Sequence, residues 1–189
     1  METIKALRQD LAEESTERYM MLMPKLIKAD INNDCDEVCD LVMLNREIMS
    51  DGLRYVYNRL PDELKFTLPV ECYTHNGDSM PVVRKYVRVA RKYMPVAKRI
   101  PPEMANLFEI EVYRAGEEDI DLAKYRISWT TDIEVAKWFR ERAKIRNQPQ
   151  RHIYKGIIKP ERVIWYTDGR QEREIMQYRA VTDVIEIDG

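Results

Sequence analysis

Glycine is scarce in this chain, six among 189 residues. Gly116 and Gly156 stand alone, with neither the spacing of a dinucleotide fingerprint nor that of a phosphate loop. Any nucleotide must therefore be held without those devices. Cysteine is scarcer still. Cys35, Cys39 and Cys72 make an odd number with no framework, which excludes a disulfide-stapled scaffold and suits free thiols in a reducing compartment. The two histidines, His75 and His152, are isolated. Cys35 and Cys39 share a helical spacing, but Asp34, Asp36 and Asp40 beside them read as solvent-facing acids, so no metal site is expected. No stretch approaches the roughly 20 apolar residues of a membrane span. The opening METIKALRQDLAEESTERY is charged throughout, unlike the apolar core of a signal peptide. Neither sign of charge dominates, with 31 Lys and Arg against 33 Asp and Glu, which argues against wholesale coating of nucleic acid. Internal repeats and low-complexity tracts are missing. What remains is a soluble globular chain, expected in the cytoplasm of its own or a host cell, whose 44% apolar content supplies a real core.

The two halves are unlike, and the expected division is a helical lobe over 1–100 and a β-rich lobe over 101–189, forming one compact unit. In the first, Ile4, Leu7 and Leu11, then Tyr19, Leu22 and Leu26, recur at three- and four-residue steps. Asp34, with Glu37 three residues on, predicts the cap of a second helix burying Val38, Leu41, Val42, Ile48 and Met49. A third short helix through Leu53, Val56 and Tyr57 runs toward the stop at Pro61. ECYTHNGDSMP reads as a polar loop, and His75 within it as a surface residue. A helix starting about Ser79, with Pro81 in its first turn, carries Val82, Val83, Tyr86, Val87 and Ala90 on one side. Arg84, Lys85, Arg88, Arg91 and Lys92 line the other. Such a stripe suits phosphate or nucleic acid, although a solvated face pairing with acids elsewhere is the commoner meaning. Pro95, Pro101 and Pro102 break the helical pattern and mark the junction.

Beyond them the period falls to two. LFEIEVYR, Leu107–Arg114, sets Phe108, Ile110, Val112 and Arg114 on one side, and an arginine arriving on an apolar face needs a partner. YRISWTT, Tyr125–Thr131, puts Ser128 and Thr130 on one face and Ile127 and Trp129 on the other. Thr131 to Glu134 matches a capping box for a helix that buries Val135, Ala136, Phe139 and Ala143. Further strands are predicted at His152–Ile158, Val163–Thr167, Glu174–Tyr178 and Val181–Ile187, with turns at Lys159-Pro160 and Asp168-Gly169. If the strand around Glu174 begins early enough, Glu172 shares its face. Two acids side by side are either a charged edge that blocks pairing or a catalytic carboxylate with a helper.

Taken in order, Tyr113-Arg114, Ser128-Trp129-Thr130 and Glu172-Arg173-Glu174 resemble the Arg–Ser–Glu class of mono-ADP-ribosyltransferases. That class takes an arginine from a first strand, a Ser-Thr-Ser-type motif from a second and Glu-x-Glu from a strand after a turn. SWTTDIEVAKWF and EREIMQY are similar to the flanking segments, and a register one residue on, Trp129-Thr130-Thr131, stays open. The resemblance covers roughly 107–187. It implies an α+β fold in which the N-terminal helical lobe packs on a split, mostly antiparallel β-sheet lobe, with NAD as substrate in the cleft between them and no metal.

The same resemblance assigns roles. Glu174 would stabilise the oxocarbenium-like charge formed when the nicotinamide–ribose bond breaks, as carboxylates do in glycosidases. Arg114 would neutralise the pyrophosphate, its alternative being a salt bridge to a strand carboxylate. Ser128 would hold Glu174, with Thr130 supporting the neighbouring strand in the NAD site. Glu172 would activate the acceptor, implied to be an arginine side chain of a protein. The turn TDGRQ would face that target, while Trp165 and Tyr166 read as buried strand aromatics. An effector, a toxin or a phage-borne modifier would all have this layout. Two rivals remain: an NAD glycohydrolase of the same fold, and a non-catalytic module that binds nucleic acid or an acidic protein through the basic helix face.

Overall fold

The structure, a computed structural model, describes residues 2–76, 80–169 and 171–187, with side chains from residue 12 onward except at position 76. It is α+β. Contacts divide the chain into two compact units, Met1–Tyr93 and Met94–Gly189. The division thus falls earlier than the expected boundary at residue 100. Prolines do break the helix there, but the turns between them carry apolar residues that belong to the sheet. Ile100 sits in the sheet core, with Val96, Met104 and Ala105 packed against it.

The first unit is built from α1 (Glu2–Ile31), α2 (Cys35–Leu44), α3 (Arg46–Val56), α4 (Asp62–Asn76) and α5 (Pro81–Ala90). Asp34 caps α2, its carboxylate accepting from Glu37 N at 3.0 Å. The single second helix expected there is two, because Asn45 takes an extended conformation, φ −115°, and re-aims the run. Gly52 in α3 marks a close approach. A Cβ there would stand 2.9 Å from Val42 and 3.1 Å from Leu26, so only glycine lets three helices meet. α4 corrects the predicted loop, since ECYTHN is its last stretch. Phe66, Leu68, Val70, Cys72 and Tyr73 are buried, and burial overrides the polar letters on the solvent side. The predicted start of α5 at Ser79 lies outside the described residues, while Pro81 occupies its first turn.

The second unit opens with two short helices, α6 (Val96–Arg99) and α7 (Pro102–Ala105). It continues through β1 (Ile110–Gly116), α8 (Ile120–Ala123), β2 (Ser128–Thr130), α9 (Ile133–Ile145), β3 (His152–Ile158), β4 (Val163–Thr167), β5 (Glu174–Gln177) and β6 (Thr182–Ile187). The strands form one sheet in the order β4-β5-β2-β1-β3-β6, with every neighbouring pair antiparallel. Where a split was expected, the sheet stays connected but narrows. β1 and β2 share a single registered pair, Tyr113↔Thr130, whereas β1 and β3 run in register from Ile110↔Ile158 to Gly116↔His152.

Two local expectations shift with this ladder. Phe108 precedes β1 and is 80% exposed, its ring facing the Lys159 ammonium at 5.4 Å rather than the core. The cap of α9 is Asp132, which accepts from Glu134 N at 2.9 Å, because Thr131 N is still tied to Arg173 O of the neighbouring chain segment at 3.1 Å. Ile110, Val112, Trp129, Tyr154, Ile158 and Ile175 form the heart of the core.

Candidate active site

Register decides which side chains meet. Thr130 lies opposite Tyr113 on one side and Glu174 on the other, and paired residues share a sheet face. Alternation then sends Ser128, Thr130 and Glu174 one way, and Trp129 and Ile175 the other way into the core. Along the first face a cleft of about 170 Å³ opens at the narrow β1–β2 seam. Arg114, Ser128, Thr130, Glu172 and Glu174 all line it, joined by Tyr113, Phe139 and Arg151. Every lining residue belongs to the second unit.

Glu174 is 8% exposed, and the Ser128 hydroxyl donates to its Oε1 at 2.5 Å. That bond sets the orientation of the Glu174 side chain at the cleft wall. Thr130 does something different. Its hydroxyl donates to the Glu172 carbonyl at 2.7 Å and accepts from Asp132 N at 3.1 Å. It ties the turn before β5 to the start of α9.

That turn is strained on purpose. Gln171 and Arg173 are non-glycine residues at φ 58° and 44°, conformations that cost of order 1 kcal/mol each and persist only when their surroundings over-determine them. Here Gln171 N is held by Asp168 O at 2.9 Å and Arg173 pairs with Asp132 at 3.3 Å. Of the target-facing turn, Arg170 lies outside the described residues. β5 consequently begins at Glu174 and no earlier. Glu172 does not reach the cleft by strand alternation, as the sequence pattern suggested; the left-handed residues on either side of it present it there.

Arg114 stands near the end of β1, and the salt-bridge alternative is what the geometry shows. Its Nε donates to Glu118 Oε1 at 2.9 Å and its NH1 to the Ser128 carbonyl at 2.7 Å. The same Glu118 oxygen accepts from Arg126 Nε at 3.1 Å. Burial works against the charge on Glu118, but Arg114, the residue's own backbone amide and Arg126 outweigh it and hold the carboxyl below its ordinary range. Arg114, Ala115 and Arg151 also wall a second, more open cleft of about 450 Å³ that includes Arg126, Glu117 and Glu118. Two clefts thus meet across one basic wall.

Pattern reading missed Glu118, Arg126 and Arg151. Glu118 carried a signal, a carboxylate four residues after an arginine that needed a partner. Arg151 carried none, since it stands in a polar loop and reaches the cleft only through the fold. Tyr113 lines the cleft with its hydroxyl bonded to Glu111; that bond, with some burial, pushes the phenol up to about 12. Among the described residues no group of side chains is placed to hold a metal ion. No family model, curated protein or solved structure matches the chain.

Proposed function

We propose that this protein is a mono-ADP-ribosyltransferase of ADP-ribosyltransferase-like fold, which transfers ADP-ribose from NAD to a macromolecule, an arginine side chain of a protein being the acceptor implied by the family resemblance. One observation carries the reading. Ser128 and Glu174, far apart in sequence, share a hydrogen bond inside a cleft that Glu172 and Arg114 also line. The size of the paired clefts supports it. The smaller has room for a nicotinamide riboside end, and the larger, walled by Arg114, Arg126 and Arg151, suits a pyrophosphate.

In this chemistry the bond between nicotinamide nitrogen and ribose C1 breaks, and its electron pair leaves on nicotinamide. Glu174, fixed by Ser128, faces the positive charge that develops on the sugar. The acceptor's lone pair forms the new bond to C1 and its proton passes to Glu172. With water in the acceptor's place the same site is an NAD glycohydrolase, and product analysis distinguishes the two. Incubation of the full chain with NAD labelled in the adenylate half, in the presence of a cell lysate, should give a labelled macromolecule and free nicotinamide. Nicotinamide without label would mean hydrolysis, and neither product would remove the enzymatic reading.

A further inference from the structure

The end of α9 and the loop behind it hold positive charge of which the transfer chemistry uses Arg151 alone. Lys137, Arg140, Arg142, Lys144, Arg146 and Arg151 lie there against only Glu134 and Glu141. Those two acids are taken up by Lys137 at 2.8 Å, Arg140 at 3.3 Å and Lys144 at 2.8 Å. Arg142 and Arg146 have no carboxylate partner among the described residues. Asn147, at φ 50°, ends the helix, and Gln148 N bonds back to Ala143 O at 3.0 Å, a closure that folds the chain onto the last turn.

This turn builds a cleft of about 200 Å³ whose polar lining is Arg142, Arg146, Gln148 and Arg151, with no carboxylate. It shares Phe139 and Arg151 with the candidate active cleft. A helix C-terminus welcomes some positive charge. Three guanidiniums around one small space repel one another, however; Arg151 has Glu117 at 3.7 Å and donates to Gln148 Oε1 at 3.4 Å. The arrangement is poised for an anion carrying several charges. Beside it Trp138 is 51% exposed, edge-on to Phe139 and covered by the Arg142 guanidinium at 4.8 Å. An indole and a guanidinium thus present flat surfaces next to the cationic cleft.

We propose that this face of α9 binds single-stranded nucleic acid, with backbone phosphates on Arg142, Arg146 and Arg151 and an unstacked base on the Trp138–Arg142 pair. The basic stripe of α5 is the weaker candidate. Its one aromatic, Tyr86, is turned inward onto Tyr57 at 4.3 Å. An acidic protein surface would satisfy the α9 arginines equally but leave the indole without a role. That the bound strand lies next to the transfer cleft, as its macromolecular partner, rests on the function proposed above; the binding itself does not.

The test is a titration of fluorescein-labelled oligo(dT) with the full chain over a range of salt. Binding should fall with salt at a log–log slope of about −2, three phosphates each contributing about 0.7 on a single strand. Arg142→Ala with Arg146→Ala should lower that slope by more than half, and Trp138→Ala should weaken binding roughly tenfold with the slope unchanged. Melting temperature and nicotinamide release should stay at wild-type levels in all of them. No binding of oligo(dT) overturns the proposal. So does equal binding of poly-glutamate that is indifferent to Trp138→Ala, which would mean an acidic protein partner. Loss of NAD affinity with unchanged oligo(dT) binding would assign the cleft to the dinucleotide instead. Oligo(dT) binding by a chain that releases no nicotinamide upholds the binding face and removes only the neighbouring chemistry.

Discussion

Glu174 and Glu118 flank the same seam of the sheet and are held by opposite means. Glu174 faces the cleft and takes a hydroxyl hydrogen bond from Ser128. Glu118, in the turn after β1, takes two guanidiniums on one oxygen. A hydroxyl orients a carboxylate without neutralising it, which is what the proposed chemistry asks of Glu174. Two arginines largely cancel it, which suits a brace. Burial alone would not tell these carboxylates apart. The chemistry of the partners does, and each can be challenged separately.

The largest effect is expected at Glu174. Glu174→Gln keeps the shape and a partner for Ser128 but removes the charge, and loss of such stabilisation costs roughly 100- to 1,000-fold in turnover. Nicotinamide release and transfer should fall together, with the melting temperature little changed. A variant that unfolds early but turns over NAD normally would make Glu174 the brace instead.

Glu172→Gln divides the cleft's own chemistry. On the proposed function the charge facing the sugar remains and only acceptor activation is lost, typically a factor of 100 or more for a general base. Labelling of the acceptor should drop while slow nicotinamide release persists. Equal loss of both would mean that the two carboxylates act as one unit.

Glu118 should behave in the reverse manner. Glu118→Gln weakens charge-assisted bonds to Arg114 and Arg126, costing about 2 kcal/mol of stability, with a lowered melting temperature as the main readout. Because the folded carboxyl lies below its ordinary range, its contribution is complete above the unfolded value of about 4.3. It is lost as pH falls through the depressed folded value. The gap in melting temperature between wild type and Glu118→Gln should therefore be constant near neutrality and close in acid. A gap that widened in acid would reverse the assigned ion pair.

How much of this contrast could be read beforehand follows from what each feature depends on. Ser128, Thr130 and Glu174 were legible because alternation along a strand is local, and β3 and β4 fell where the pattern set them. The cleft itself was not. It exists because β1 and β2 share one registered pair, a non-local fact with no signature in either strand. The left-handed Gln171 and Arg173 were equally hidden, since a residue that is not glycine gives no warning of positive φ. α4 escaped because its apolar positions from Phe66 to Tyr73 are interleaved with polar ones, and only packing shows which side is buried. Arg151 joins the cleft from a loop whose path depends on the cap at Asn147.

The smallest effect belongs to Ser128, and it is the most exacting test of the contrast. Ser128→Ala leaves the Glu174 charge in place and removes one hydrogen bond, worth roughly 1 kcal/mol, so turnover should fall about fivefold. The Ser128 carbonyl, which anchors Arg114, is backbone and survives the substitution, so the Glu118 brace should be untouched and the melting temperature nearly constant. Ser128→Thr restores a hydroxyl at the same place and should recover most of the loss, since an extended strand tolerates a β-branched residue. If Ser128→Ala were fully active, orientation of Glu174 would not depend on this bond. If Ser128→Ala lost stability instead of turnover, the hydroxyl would be bracing the seam as Glu118 does, and the two sides would differ in degree only.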